Sequence, residues 1–208
     1  MKVAGVLLAG GLSRRMGGGD KSLKELGGRT ILSRVVERVQ PQVEALALNA
    51  NGDPARFAGF GLPVVPDSID GYAGPLAGIL AGLDWAAEHA RQCSHVASFA
   101  TDAPFLPLDL VDCMVETLRR EPVDFVCAAS HGRPHPVIGL WPVRRREELR
   151  KAVVEEGVRK VDDWTSRYRI AEVDFPADPI DPFFNANSPE DLVEAERVLA
   201  IHRARHKD

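Results

Sequence analysis

The stretch Leu7-Leu8-Ala9-Gly10-Gly11-Leu12-Ser13-Arg14-Arg15-Met16-Gly17-Gly18-Gly19-Asp20-Lys21 decides how the chain is read. The apolar run from Val3 to Ala9 has the pattern of a strand buried on both faces, and it empties into a glycine-rich loop with two arginines and a closing lysine. Glycines let backbone N–H groups come close to an anion, and arginine and lysine supply the countercharge. The stretch therefore reads as a polyphosphate-binding loop after the first strand of a parallel sheet. A solvated Gly/Arg turn with no ligand is the alternative, and it leaves the coincidence of these residue types behind a buried strand unexplained.

Two common phosphate loops are excluded. A Walker A loop ends in Gly-Lys-Ser/Thr, whereas Lys21 follows Asp20, and the dinucleotide pattern G-x-G-x-x-G is absent from the loop. What remains resembles the signature L-A-G-G-x-S-x-R-M-G-x-x-K of nucleotidyltransferases that transfer a nucleoside monophosphate from a triphosphate.

At 208 residues the chain fits one domain, long enough to bury a substantial core. It is 45% hydrophobic and 27% charged, an ordinary globular composition. No apolar run is long enough to cross a bilayer, and the first one ends in Gly-Gly and a basic loop rather than a signal cleavage site. Arg14-Arg15 follows the apolar run, so it is not a twin-arginine export signal. Cys93, Cys113 and Cys127 are three in number and far apart, which predicts reduced thiols in a cytoplasmic protein rather than a zinc cage or disulfide framework. The net charge of −4 disfavours nucleic acid as the main partner. Residues 1–40 carry +5 and the remainder −9, a segregation that suits a small polyanion at the N-terminal segment.

Beyond the loop, Ile31-Leu32-x-x-Val35-Val36-x-x-Val39 has helical period and stops at Pro41. Val43–Ala50 and Leu62–Val65 read as strands, and Pro75 opens a helix after Gly71-Tyr72-Ala73-Gly74. Val96–Ala100 is a further strand, followed by a helix from about Pro107 to Arg120. Alternating strands and helices imply a three-layer αβα, Rossmann-like, mostly parallel sheet. Strands at 123–129 and 137–143 are expected to flank a turn at 130–136. Helices near 146–156 and 158–167 follow, then a strand at 170–175 and a last helix behind the capping-box sequence Ser188-Pro189-Glu190-Asp191. The expected organisation is a single domain 1–208, with a nucleotide-binding half 1–122, an acceptor half 123–200 and a frayed tail 201–208.

In such sheets ligands sit outside the carboxyl ends of the strands. The loop 10–21, Asn49, Asp67 and Asp102 all fall at predicted strand ends, so four separate polar features converge on one edge. Asp102, between Thr101 and Ala103-Pro104, is either a turn-forming aspartate or a Mg²⁺ ligand. The Gly/Arg/Lys loop favours the metal. Nucleotidyl transfer to a phosphate acceptor needs no nucleophilic triad, because the attacking oxygen is already an anion. Alignment and charge neutralisation suffice, from Mg²⁺, Lys21 and Arg15. His131 and His135 have ligand-like spacing, but Pro134 and Pro136 forbid a helix, so contact with an anionic substrate is preferred to zinc.

The chain resembles the molybdenum cofactor guanylyltransferases along nearly its whole length. The resemblance is carried by Leu8-Ala9-Gly10-Gly11 with Arg15-Met16-Gly17-Gly18-Gly19-Asp20-Lys21, Asn49-Ala50-Asn51, Asp67 with Gly74-Pro75-Leu76-Ala77-Gly78, Thr101-Asp102-Ala103-Pro104, and His135-Pro136 with Asn185-Ala186-Asn187-Ser188-Pro189-Glu190-Asp191. It implies transfer of GMP from GTP to the terminal phosphate of molybdenum-bearing molybdopterin. It also implies that Leu8, Ala9 and Gly10 read guanine through the backbone, with Lys21, Asn49, Asp67 and Asp102 on GTP and Asp102 on Mg²⁺. Arg15, Gly18, Gly78, Lys160, Asn185 and Asn187 would serve the pterin. Lys160 departs from the arginine expected there, which puts a bidentate phosphate contact in doubt. Thr101 stands where cysteine often precedes the aspartate. A monomer is expected, with transient contacts to molybdenum-insertion proteins or acceptor molybdoenzymes, and no nucleic acid or membrane partner.

Four rivals stay open, one of them a dinucleotide-dependent dehydrogenase, which the missing G-x-G-x-x-G pattern weakens. A cytidylyltransferase on the same pterin usually shows L-A-A-G in place of Leu8-Ala9-Gly10-Gly11. A sugar-1-phosphate nucleotidyltransferase lacks a use for His135-Pro136 and Asn185-x-Asn187. A non-catalytic GTP- or pterin-binding protein leaves the intact Lys21 and Asp102 without a purpose.

Overall fold

β1 (Val3–Leu8) occupies the middle of the sheet because it is apolar on both faces: Val3 and Leu7 point into one core, Ala4 and Val6 into the other. The structure, a computed structural model, describes residues 1–10, 20–69, 71, 74–178 and 180–205, the last five by backbone alone. β1 pairs in parallel with β4 (Ala45–Asn49) and with β6 (His95–Ala100). β5 (Val64–Val65) adds outside β4. On the other side β8 (Arg133–Pro142) runs antiparallel between β6 and β7 (Phe125–Ser130), and β9 (Ile170–Asp174) pairs in parallel with β7. Among the described residues the order is β5-β4-β1-β6-β8-β7-β9, with one small separate hairpin of β2 (Glu25–Leu26) and β3 (Arg29–Thr30).

Helices cover both faces. α1 (Ile31–Val39), α3 (Leu110–Arg120) and α6 (Pro189–Arg205) bury Leu32, Val35, Leu110, Met114 and Ala195 against one side. α2 (Pro75–His89), α4 (Arg146–Val154) and α5 (Val161–Thr165) bury Leu76, Leu80, Leu149 and Trp164 against the other. This is the expected three-layer arrangement. α2 is buried without a break from Leu76 to Leu83. It lies tight on the sheet because Gly82 has no side chain: a Cβ there would stand 2.7 Å from Val6 Cβ.

The structure corrects the expected turn at 130–136. The reversal is only His131-Gly132, both with positive φ (51° and 69°), as a two-residue hairpin turn requires. Pro134 and Pro136 lie within β8. They are tolerated because β8 meets β6 only from Gly139 to Pro142, so residues 133–138 owe β6 no ladder hydrogen bonds. α5 is shorter than the helix expected at 158–167, and α3 starts three residues later than Pro107. Unexpected were the β2–β3 hairpin, turned at Gly27-Gly28 with φ 57° and 77°, and a 3-10 segment Pro54–Phe60 capped by Asp53. α6 continues as helical backbone to Arg205, into the stretch expected to fray, and residues 206–208 lie outside the described residues.

Candidate active site

Sheet register sets the site. Leu8 is level with Asn49 on one side and with Ala100 on the other, and Asn49 is level with Val65, two residues before Asp67. The chain steps outward from β1 to β4 and β5, then returns to β6 on the far side of β1. Such a reversal opens a crevice at the carboxyl edge.

Lys21, the first residue of a 3-10 turn, reaches Asp102 just beyond β6, with Nζ 2.6 Å from Oδ2. The same ammonium donates to Asn187 Oδ1. Residues separated by 81 and 166 positions thus meet at one cation. Each is held from behind. The Thr101 hydroxyl donates to the Leu8 carbonyl at 3.0 Å, locking the end of β6 to the end of β1. The Asp102 carbonyl accepts the Ala186 N–H at 2.9 Å. Asp191 Oδ2 accepts the Asn187 and Ser188 N–H groups, both at 2.8 Å, while Ser188 Oγ accepts the Asp191 N–H at 3.2 Å. This reciprocal cap starts α6 and presents Asn187. The Lys21 and Asp102 side chains are 16% and 27% exposed, dry enough to strengthen their attraction and open enough to admit a ligand.

A second polar group lies at the ends of β4 and β5. The Asn49 amide, 4% exposed, donates to the Val65 carbonyl at 3.1 Å and to Asp67 Oδ1 at 3.0 Å. Asn51 donates to Asp67 Oδ2 at 2.7 Å and accepts the Asp67 N–H at 2.9 Å. Gly78 on α2 faces this group. A Cβ there would stand 2.3 Å from Asn49 Oδ1 and 2.8 Å from Leu8 Cδ2. Gly78, expected on the pterin side, stands beside Asn49 and Leu8, where it makes room for the amide.

Other expected site residues are more dispersed. Leu8 and Ala9 are half-buried, Gly10 is exposed, and the Ala9 N–H donates to the Asn49 carbonyl at 2.9 Å. Asn185 is exposed beside Asn187. Lys160 stands exposed at the N-terminus of α5. Arg15 and Gly18, with Arg14, lie outside the described residues. His135 bonds through Nε2 to Ser130 Oγ at 2.7 Å and packs on Phe183, ring centres 4.7 Å apart. Burial lowers its pKa against the opposing pull of Asp181, which keeps the ring neutral. Cys127 is pushed up to about 12 by burial, then by Glu172 and Asp162, and is no nucleophile. The structural role of Thr101 was not anticipated; a threonine before the aspartate was its visible signal.

Asp102 carboxylate and Asn187 amide oxygen are hard donors converging on one positive charge. Among the described residues no three or more His, Cys, Asp or Glu are grouped to hold a metal. That donor set fits Mg²⁺, which needs few protein ligands and keeps positions for phosphate and water, and it does not fit a closed zinc cage.

A doubly covered sheet of this topology, with a lysine and a carboxylate facing each other at its carboxyl edge, suits the phosphates of a nucleotide, and sequence kinship makes the chain a nucleotidyltransferase. Residues 5–170 match the family model described as the MobA-like NTP transferase domain. The molybdenum cofactor guanylyltransferase of Bradyrhizobium sp. (strain ORS 278) is 59% identical over 96% of this chain and 94% of its own length. That of Rhodopseudomonas palustris (strain BisB5) is 56% identical, covering 93% and 92%. In fold, the chain superposes on molybdopterin-guanine dinucleotide biosynthesis protein A from Archaeoglobus fulgidus with a TM-score of 0.72, 24% identity, and coverage of 96% and 99%. The chain belongs to the molybdenum cofactor guanylyltransferase family.

Proposed function

We propose that this protein transfers GMP from GTP to the terminal phosphate of molybdenum-bearing molybdopterin, forming molybdopterin guanine dinucleotide and releasing pyrophosphate. The observation that carries the reading is the meeting of Lys21, Asp102 and Asn187 at the carboxyl edge of β6. An acceptor phosphate oxygen attacks the α-phosphorus of GTP, a new P–O bond forms, and the bond to the β-phosphate breaks as pyrophosphate leaves. No protein base is needed, since the attacking oxygen carries its charge already.

Lys21 moves its charge from Asp102 to the triphosphate when GTP arrives, and Arg15 adds a second positive group. Asp102, with Asn187 beside it, would hold Mg²⁺, which supplies Lewis-acid stabilisation of the phosphate oxygens. Leu8, Ala9, Gly10, Asn49 and Asp67 bind the nucleoside side, and Gly78 keeps Asn49 in place. Gly18, Lys160, Asn185 and Asn187 serve the acceptor, so that side draws mainly on residues 123–200 and takes Gly18 from the first half. We place the reaction in the cytoplasm, with a monomeric enzyme handing its product to acceptor molybdoenzymes. Among the described residues no helix is long and apolar enough to cross a membrane.

Pyrophosphate release measured with GTP, CTP or ATP, plus Mg²⁺ and with or without molybdopterin and molybdate, tests this. GTP-selective release that requires the pterin is the expected result. Release with CTP would keep the mechanism and change the base; release driven by a sugar phosphate would change the acceptor. Tight GTP binding without any release would leave a binding protein.

A further inference from the structure

Arg56 belongs to none of the recognised motifs, yet it joins the two polar groups of the site. Its Nε lies 3.2 Å from Asp20 Oδ2, and its Nη2 donates to the Asn51 carbonyl. The guanidinium rests over the ring of Phe57, 4.9 Å from its centre, and Phe57 is fully buried. Asn51 is itself clasped by Asp67 at the end of β5. One end of Arg56 is thus anchored to the sheet, and its other end grips the residue immediately before Lys21. Asp20 opens the 3-10 turn that carries Lys21, and it accepts the Leu23 N–H at 3.1 Å through its carbonyl. Its carboxylate makes no local cap bond. An aspartate at such a position usually caps its own turn; here the carboxylate is turned across to a cation 36 residues away.

We propose that Arg56 is a positioning residue for nucleotide binding: by holding Asp20 it fixes the turn from which Lys21 reaches the phosphates. A polar chain then runs along the carboxyl edge from Asp67 through Asn51, Arg56, Asp20 and Lys21 to Asp102. The fork of arginine is needed because two acceptors in different directions are engaged at once, which a lysine cannot reproduce. The inference rests on the reading of the site as a nucleotide site.

The test is steady-state kinetics and calorimetric GTP binding on Arg56→Gln, Asp20→Asn, the double variant and Arg56→Lys, beside wild type. Each single neutral variant is expected to raise KM and Kd for GTP about 3- to 10-fold. kcat should stay within about twofold, with KM for the pterin and the Tm unchanged. The double variant should be no worse than the worse single one, and Arg56→Lys should recover part of the loss. Multiplying effects in the double variant would mean that Arg56 touches the nucleotide itself, and equal losses for both substrates would mean a general disturbance; either overturns the proposal, as does unchanged GTP affinity. A wild-type protein that neither binds nor turns over GTP refutes the functional reading instead, and this inference with it.

Discussion

At the scale of single residues, the site depends on a few contacts that substitution can isolate. Asp102→Asn keeps the shape and removes the charge that faces Lys21. Transfer is expected to fall by at least about 100-fold at saturating Mg²⁺, with far-UV circular dichroism unchanged. Turnover near wild type would remove Asp102 from the metal site. Lys21→Ala should weaken GTP binding more than pterin binding, read by calorimetry, and equal losses would count against its place on the triphosphate. Gly78→Ala puts a methyl 2.3 Å from Asn49 Oδ1 on a helix that cannot back away, and should cost about 1–3 kcal/mol of stability while raising KM for GTP. A larger rise in KM for the pterin would return Gly78 to the acceptor side. The residue types of the site were legible in sequence: the basic loop, Asn49, Asp67 and Asp102 stand at strand ends that hydrophobic pattern alone locates. Their partners were not, because a side chain's neighbour across 81 or 166 residues is set by sheet register, which no local pattern encodes.

At the scale of elements, periodicity served well where one element buries one face. α1 was clear because its apolar residues recur at helical spacing, with Thr30 as cap accepting the Ser33 N–H at 3.0 Å. The capping box of α6 was equally clear, and the structure shows that it also delivers Asn187. Ser188→Ala should therefore cost about 1 kcal/mol and raise KM for the pterin, whereas a purely structural cap would lower the Tm alone. The β7–β8 hairpin misled, since two prolines in a strand argue for a turn until the neighbouring strand is known to stop short of them. His131 holds φ 51° where a turn of this kind favours asparagine. Thermal unfolding of His131→Asn should show a rise corresponding to up to about 1 kcal/mol. The Gly27-Gly28 turn, with φ 57° and 77°, is a second hairpin, and the sequence reading missed it.

At the scale of the whole molecule, pH stability has a source remote from the site. His95 begins β6 at the opposite edge of the sheet, and its pKa is lowered to about 4, by burial first and then by Arg144 and the N-terminal amine. The unfolded chain, with an ordinary histidine pKa near 6.5, binds more protons than the folded one between those values. Stability is therefore full above about pH 6.5 and is lost as pH falls towards 4. Half-buried His135 adds to the loss with the same sign. At pH 5 the His95 share amounts to about 1–2 kcal/mol, allowing for its partial exposure. Urea unfolding at pH 7 and pH 5 should show a smaller acid loss for His95→Gln than for wild type; equal losses would place the acid sensitivity elsewhere.

The sequence by itself determined the layers, the order of strands and helices, and the edge on which the polar loops gather, because burial imposes periods of two and 3.6 residues that are written locally. It also carried the family, through five separated motifs in one order. Only the tertiary structure decided which polar groups meet. The reversal of β8, the fit of Gly78 under Asn49, the Thr101 tie to Leu8 and the Arg56 grip on Asp20 all depend on distances of a few ångströms between distant segments. Those distances follow from how the two cores pack against the sheet, a property of the whole chain and of no stretch within it.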